Sequence, residues 1–238
     1  MTDKYFRPQA RVATAQSQAL TNAFLRGVYL WMGLGLAVTA VVSWYVSGSY
    51  AIMNAIYSSS VMPIVLLVAW FGLAMGINAA ISRISGGTAT ALFMLFSALT
   101  GVTLAPIFIV YTSSSIAATF ASCAGMFGAM SVYGLVTKRD LTSWGSFLIM
   151  GLVGVIIASI VNMFMQSEAM HYIIGYVGVI VFLGLTAYDT QKLRDMGDSA
   201  PMDDATALRR GTILGALTLY LDFINLFLML LRIFGDRR

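Results

Sequence analysis

Seven apolar runs, each about as long as a bilayer-spanning helix, constrain this chain more than any other feature. They fall at residues 27–47, 61–81, 88–110, 116–136, 145–165, 172–189 and 211–234. A hydrocarbon core asks a helix for about 20 apolar residues. Backbone groups in lipid must be hydrogen-bonded internally, so runs of this length read as helices. Composition agrees, because 59% of the 238 residues are hydrophobic and mean hydropathy is +0.83, beyond what a soluble core of this size needs. The reading is an all-α integral membrane protein. Residues 27–235 form a seven-transmembrane-helix bundle, preceded by a tail over 1–26 and followed by a basic tail over 236–238. Pro106 predicts a kink in the third run. The pairs Gly72/Gly76 and Gly211/Gly215 have the small-xxx-small spacing that permits close helix approach.

Lys and Arg in the short loops set the orientation. The tail holds Lys4, Arg7, Arg11 and Arg26. The next loops alternate between none and some: Arg83, then Lys138 and Arg139, then Lys192, Arg194, Arg209 and Arg210. Six spans therefore alternate without exception, with the N-terminus cytoplasmic. Arg232, Arg237 and Arg238 break the pattern, so the last helix either crosses fully against the charge rule or re-enters. The tail is not a cleavable signal peptide, since the apolar run after it is too long and no small-residue cleavage site follows.

Charge and metal-binding residues exclude several classes. The net charge of +4 is spread over short segments between apolar runs, which argues against a nucleic-acid partner. A single cysteine, Cys123, allows no intrachain disulfide, and with a single histidine, His171, there is no Cys/His set for zinc. No resident cofactor is expected, and the first partner is the lipid bilayer.

Against that background two carboxylates stand out: Asp189, ending the sixth run, and Asp222, in the middle of the seventh. A carboxylate near the centre of a membrane helix costs about 2.5–3.5 kcal/mol on insertion scales. At about 100° per residue, Gly211, Gly215, Thr218, Asp222, Asn225, Met229 and Arg232 share one face of the last helix. Such a small-and-polar stripe belongs against protein or water, so this helix should be central. Gly175, Gly178, Phe182, Thr186 and Asp189 share a face of the sixth helix, and two facing stripes would bring the aspartates together. Depth opposes the meeting: Asp222 lies about 16 Å beyond Gly211, whereas Asp189 is close to Lys192. They meet only if the sixth helix runs buried past Asp189 or the seventh begins outside the lipid.

The stretch Leu219-Tyr220-Leu221-Asp222-Phe223-Ile224-Asn225-Leu226-Phe227, then Leu230-Leu231-Arg232, with Thr186-Ala187-Tyr188-Asp189 before it, resembles the bacterial branch of the Bax inhibitor family, the transmembrane Bax inhibitor motif proteins. Gly101-Val102-Thr103-Leu104-Ala105-Pro106 and Lys138-Arg139-Asp140-Leu141 are similar to the same family's patterns, so the resemblance covers nearly the whole chain. It implies a seven-helix bundle around the C-terminal helix, in a bacterial cytoplasmic membrane, acting as a pH-sensitive calcium leak. The family's paired aspartates fall on Asp189 and Asp222, which would also be the ligands of a passing calcium ion, and its basic latch falls on Arg83. One departure is the second helix, where Trp70-Phe71-Gly72-Leu73-Ala74 is uncharged in place of an acidic residue.

Elementary chemistry supports a sensor. Two carboxyls in hydrogen-bond reach at low dielectric do not both ionise cheaply, so the pair should hold one proton and titrate as a unit. Losing the proton adds repulsion between the helices or leaves hard oxygen ligands for a cation. Simpler assignments stand beside this one. Asp189 could be a solvated helix end, Asp222 a structural hydrogen-bonding residue, and Arg83 a snorkelling topology charge. Asn78 and Asn162 read as helix–helix hydrogen bonds, His171 as a surface residue of an outer loop, and Asp140 as a loop charge or a cap for a helix starting near Ser143. Two further functions compete. One is a non-transporting regulator that docks on a membrane protease or stress-response partner through the tail. The other is an intramembrane aspartyl protease, for which the second aspartate lacks a Gly-x-Gly-Asp context.

Overall fold

A computed structural model describes residues 7–199 and 204–238, with side-chain surroundings described from residue 18 onward. The helices are α1 (Arg7–Gly48), α2 (Tyr50–Tyr57), α3 (Val61–Ala80), α4 (Gly86–Leu104), α5 (Ile107–Val110), α6 (Ser113–Val136), α7 (Thr142–Met165), α8 (Glu168–Asp198) and α9 (Ala205–Phe234). Among the described residues, seven helical segments are long and apolar enough to cross a membrane. Their starts follow local capping chemistry: the Ser85 hydroxyl accepts from Thr88 N–H at α4, Thr112 from Ser115 N–H at α6, Ser167 from Met170 N–H at α8, and the Asp204 carboxylate from Thr206 and Ala207 N–H at α9. Pro106 does more than kink the third span. It lacks the N–H that would continue α4, so the helix stops at Leu104 and restarts as α5.

Three sequence boundaries move, the first being the start of the first helix, at Arg7 rather than residue 27. The sixth helix does not end at Asp189 but continues to Asp198, and the seventh starts at Ala205 rather than Gly211. An apolar window marks the lipid-facing part of a helix, whereas its hydrogen bonds run on into water. The outer loop over 48–60 also contains α2, whose Tyr57 hydroxyl donates to Val102 C=O at 2.8 Å.

Contacts at the two ends fix the arrangement. At one end Arg210 donates to the carbonyls of Ser82 and Ile84, Arg194 to those of Leu135 and Thr137, and Thr21 to the Asp198 carboxylate. At the other end Thr112 N–H donates to Asp236 C=O at 3.1 Å and Arg238 N–H to Val110 C=O at 2.9 Å, closing a bridge between Tyr111 and Arg237. The C-terminus therefore lies opposite the Arg83 and Arg139 turns, so the last helix crosses fully. By the positive-inside rule the Arg83 end is cytoplasmic.

The helix at the centre is α9, which packs against α8, α1, α6 and α4. Two thirds of its apolar window (67%) is buried, against 6% for α3. Buried residues occur all round it, from Thr212 to Leu231, as expected of a helix solvated by protein on every side.

Candidate functional site

Close approach of α8 and α9 builds the site. A Cβ on Gly178 would lie 2.6 Å from Met229 Sδ, and one on Gly215 would lie 2.7 Å from Leu193 Cδ2, so small residues on both helices set the spacing. Both belong to the stripes read from sequence, and the stripes do face each other. On the far side of α8, a Cβ on Gly134 of α6 would strike the Ala187 carbonyl, which holds α6 against the turn that carries Asp189.

Between the two glycine contacts the carboxyls of Asp189 and Asp222 interact directly across the interface. Asp222 is 6% exposed and Asp189 is half-buried. Asp222 Oδ2 is buried with no hydrogen-bond partner. An ionised carboxylate only accepts, so one carboxyl can satisfy the other only by keeping a proton and donating it. No Lys or Arg nitrogen among the described residues lies within 4.0 Å of either group; the cation acting on Asp189 is Lys192, one turn further along α8. Asp222 sits about 18 Å along α9 from Arg210 and about 20 Å from Gly235, near mid-depth. The depth conflict dissolves because α8 runs on past Asp189. The reading of Asp189 as a solvated helix end is thereby corrected.

Two residues beyond Asp189, Gln191 bonds to the α6–α7 turn. It is 5% exposed; its Oε1 accepts from Leu141 N–H at 2.8 Å and its Nε2 donates to Arg139 C=O at 2.8 Å. The α6–α7 turn is thus tied to α8 next to the pair. Sequence reasoning passed over Gln191, which lay beyond the apolar run ending at Asp189 and bonds only to backbone groups of a distant turn.

The other sequence candidates fall elsewhere. Arg83 is exposed on the α3–α4 turn; its backbone N–H donates to Ala80 C=O, and its guanidinium makes no hydrogen bond or ion pair among the described residues. That turn is held by Arg210, which was counted only as a topology charge. Thr218 and Asn225 are half-buried and donate to the carbonyls of Leu214 and Leu221 in their own helix, and Arg232 is half-buried in the last turn of α9. Asn78 donates to Ala74 C=O and Asn162 accepts from Ser167 N–H, so both bond locally instead of between helices. His171 is in the first turn of α8, not in a loop. Asp140 accepts from Thr142 N–H at 2.8 Å; the Thr142 hydroxyl and amide hold its carboxyl below the ordinary range. Gly72 and Gly76 have nothing within 4 Å of an added Cβ, so that pair packs no helix, unlike Gly215.

A second polar cluster escaped the sequence reading. Tyr220 is fully buried, and its hydroxyl lies 2.6 Å from Thr39 Oγ1, which also donates to Ser97 C=O. Trp70 Nε1 donates to Thr100 Oγ1 at 2.9 Å alongside. These residues tie α9 to α1, and α3 to α4, with Tyr220 two residues before Asp222 on α9.

Two carboxylates alone fall short of the roughly six to eight oxygens that calcium takes, and no group of three or more His, Cys, Asp or Glu side chains fit to hold a metal occurs among the described residues.

Comparison with known proteins follows the same lines. The family model described as Inhibitor of apoptosis-promoting Bax1 matches residues 21–238. The inner membrane protein YbhL of Escherichia coli K12 is 54% identical over 223 residues, covering 94% of this chain and 95% of that protein. An uncharacterized protein of Borreliella burgdorferi is 48% identical, over 94% of this chain and 96% of its own length. Another, of Rickettsia prowazekii, is 41% identical over 90% of each. Neither the family description nor these names indicate catalysis.

Proposed function

The chain belongs to the Bax inhibitor-1 family of multi-pass membrane proteins, and on that premise we propose that it is a cation leak of the bacterial inner membrane, with calcium as the cation, gated by a proton shared between Asp189 and Asp222. The observation that carries this reading is the buried, partnerless Asp222 Oδ2 facing a second carboxyl at mid-depth of the central helix. With the proton in place the two helices are held together and the Gln191 tie keeps the α6–α7 turn over the pair. When the proton leaves, the two carboxylates repel; for scale, two unit charges at about 4 Å interact by roughly 4 kcal/mol at an effective dielectric near 20. A few kcal/mol suffices to shift a two-state equilibrium a hundredfold or more. The helices part, the turn is pulled from α8, and the freed carboxylates offer hard oxygens to a cation entering from the cytoplasmic side.

Purified protein in liposomes, with calcium flux recorded across a pH series, tests the reading. Flux should rise with pH in the wild type and lose its pH dependence in Asp189→Asn and in Asp222→Asn. Wild-type pH dependence in both variants would overturn it.

A further inference from the structure

At the outer end a cavity of about 690 Å³ opens between the last turns of α7 and α9 and the first turn of α8. Its lining includes Arg232, Arg237, His171, Asn162, Ser167 and Glu168. Two guanidinium charges there face a single carboxylate, and neither Arg232 nor Arg237 forms an ion pair within 4.0 Å among the described residues. Arg232 is half-buried, with its stem against Gly175. No protein acceptor for its five guanidinium N–H groups occurs among the described residues. Arg237 reaches His171 Nε2 only at 3.4 Å. Neutral donors complete the wall. Asn162 spends its carbonyl oxygen on Ser167 N–H, and the Ser167 hydroxyl accepts from Met170 N–H, so the amide NH₂ of one and the O–H of the other remain to donate.

Unpaired cations with neutral donors around an open cavity are the chemistry that receives an oxyanion, and a guanidinium matches two phosphate oxygens at once. Depth points the same way. Arg232 lies about 15 Å along α9 beyond Asp222, which is half of a hydrocarbon core about 30 Å thick and so at its edge, where a long side chain reaches toward the headgroup layer. Met163 and Phe164 beside the mouth are 66% and 78% exposed, a surface suited to acyl chains.

We propose that this cavity is an oxyanion site that takes a phosphate group, held by Arg232 and Arg237 with Asn162 and Ser167 as neutral donors. It stands apart from the aspartate pair and does not depend on the leak reading. The phosphate belongs either to an outer-leaflet lipid headgroup or to a soluble phosphate, and two arms separate these sources. In one, detergent-solubilised full-length protein is titrated with inorganic phosphate against chloride at matched ionic strength by calorimetry. In the other, phosphatidylglycerol retained by the protein is counted by native mass spectrometry. Saturable binding is expected in at least one arm, weakened about tenfold or more in R232Q and several-fold in R237Q, with R232K only partly restoring it. Binding in the first arm assigns a soluble phosphate, and binding in the second a lipid headgroup. If R232Q does not fold, the exposed tail residue in R237Q carries the test. Absence of saturable binding in both arms, or wild-type binding in the folded Arg variants, overturns the proposal.

Discussion

Helices α3 and α9 are both uninterrupted apolar spans, yet they use their side chains in opposite ways. α3 buries 6% of its window and α9 67%. On α3 the large side chains Val65, Val68, Phe71 and Met75 are exposed. Its polar tie to the bundle is the Trp70–Thr100 hydrogen bond, and its Asn78 bonds back to its own carbonyl. α9 instead buries Tyr220 and Asp222 among four neighbouring helices. Lipid is the solvent of one helix and protein the solvent of the other, and only the second can keep a carboxyl at mid-depth. Hydropathy does not separate them, at 2.0 for both; the polar stripe does.

The largest contrast is expected from glycines. Gly178→Leu drives a side chain into Met229 and should cost roughly 1–3 kcal/mol or prevent folding, whereas Gly76→Leu, with open space beside it, should stay within about 0.5 kcal/mol. Thermal unfolding in detergent measures both, and equal losses would break the distinction between the helices. Tyr220→Phe removes a fully buried hydroxyl from its Thr39 partner and should cost about 1–2 kcal/mol. Trp70→Phe should cost about 1 kcal/mol, because α3 is tied at fewer points.

Gln191→Leu leaves Arg139 C=O and Leu141 N–H without their partner. It should raise flux several-fold at a fixed pH while the pH dependence persists, since the pair is intact. A flux unchanged in that variant would separate the turn from the gate. The smallest effect belongs to Asp140, whose carboxyl is held below the ordinary range by Thr142. A depressed folded-state value stabilises above the unfolded value and is lost as pH falls through the folded one. Asp140→Asn should therefore flatten a slight acid-side loss of stability, seen as a Tm difference that vanishes at low pH.

The bundle was legible because seven runs of bilayer length leave few alternatives, and the aspartate pair because a carboxylate costs so much in lipid that its placement carries information. Helix ends were less legible. Lys192 to Asp198 is polar and helical, so hydropathy stops where the hydrogen bonds do not, and the apparent depth mismatch came from that. The Tyr220 cluster was invisible because single Tyr, Thr, Ser and Trp residues on four helices form no periodic pattern. Gln191 and Arg210 were hidden differently, since each makes its bonds to backbone carbonyls or amides of a distant turn, and backbone partners leave no signature in side-chain sequence. Gly72/Gly76 shows the converse error: the spacing was present, but no helix lies against it.

The central claim is that one proton is held between Asp189 and Asp222, and difference infrared spectroscopy of the reconstituted protein reads it most directly. A protonated-carboxyl C=O band should vanish as pH is raised and should be lost or shifted in both Asp189→Asn and Asp222→Asn. A band unchanged in either variant, or no titrating carboxyl band in the wild type, would contradict the account.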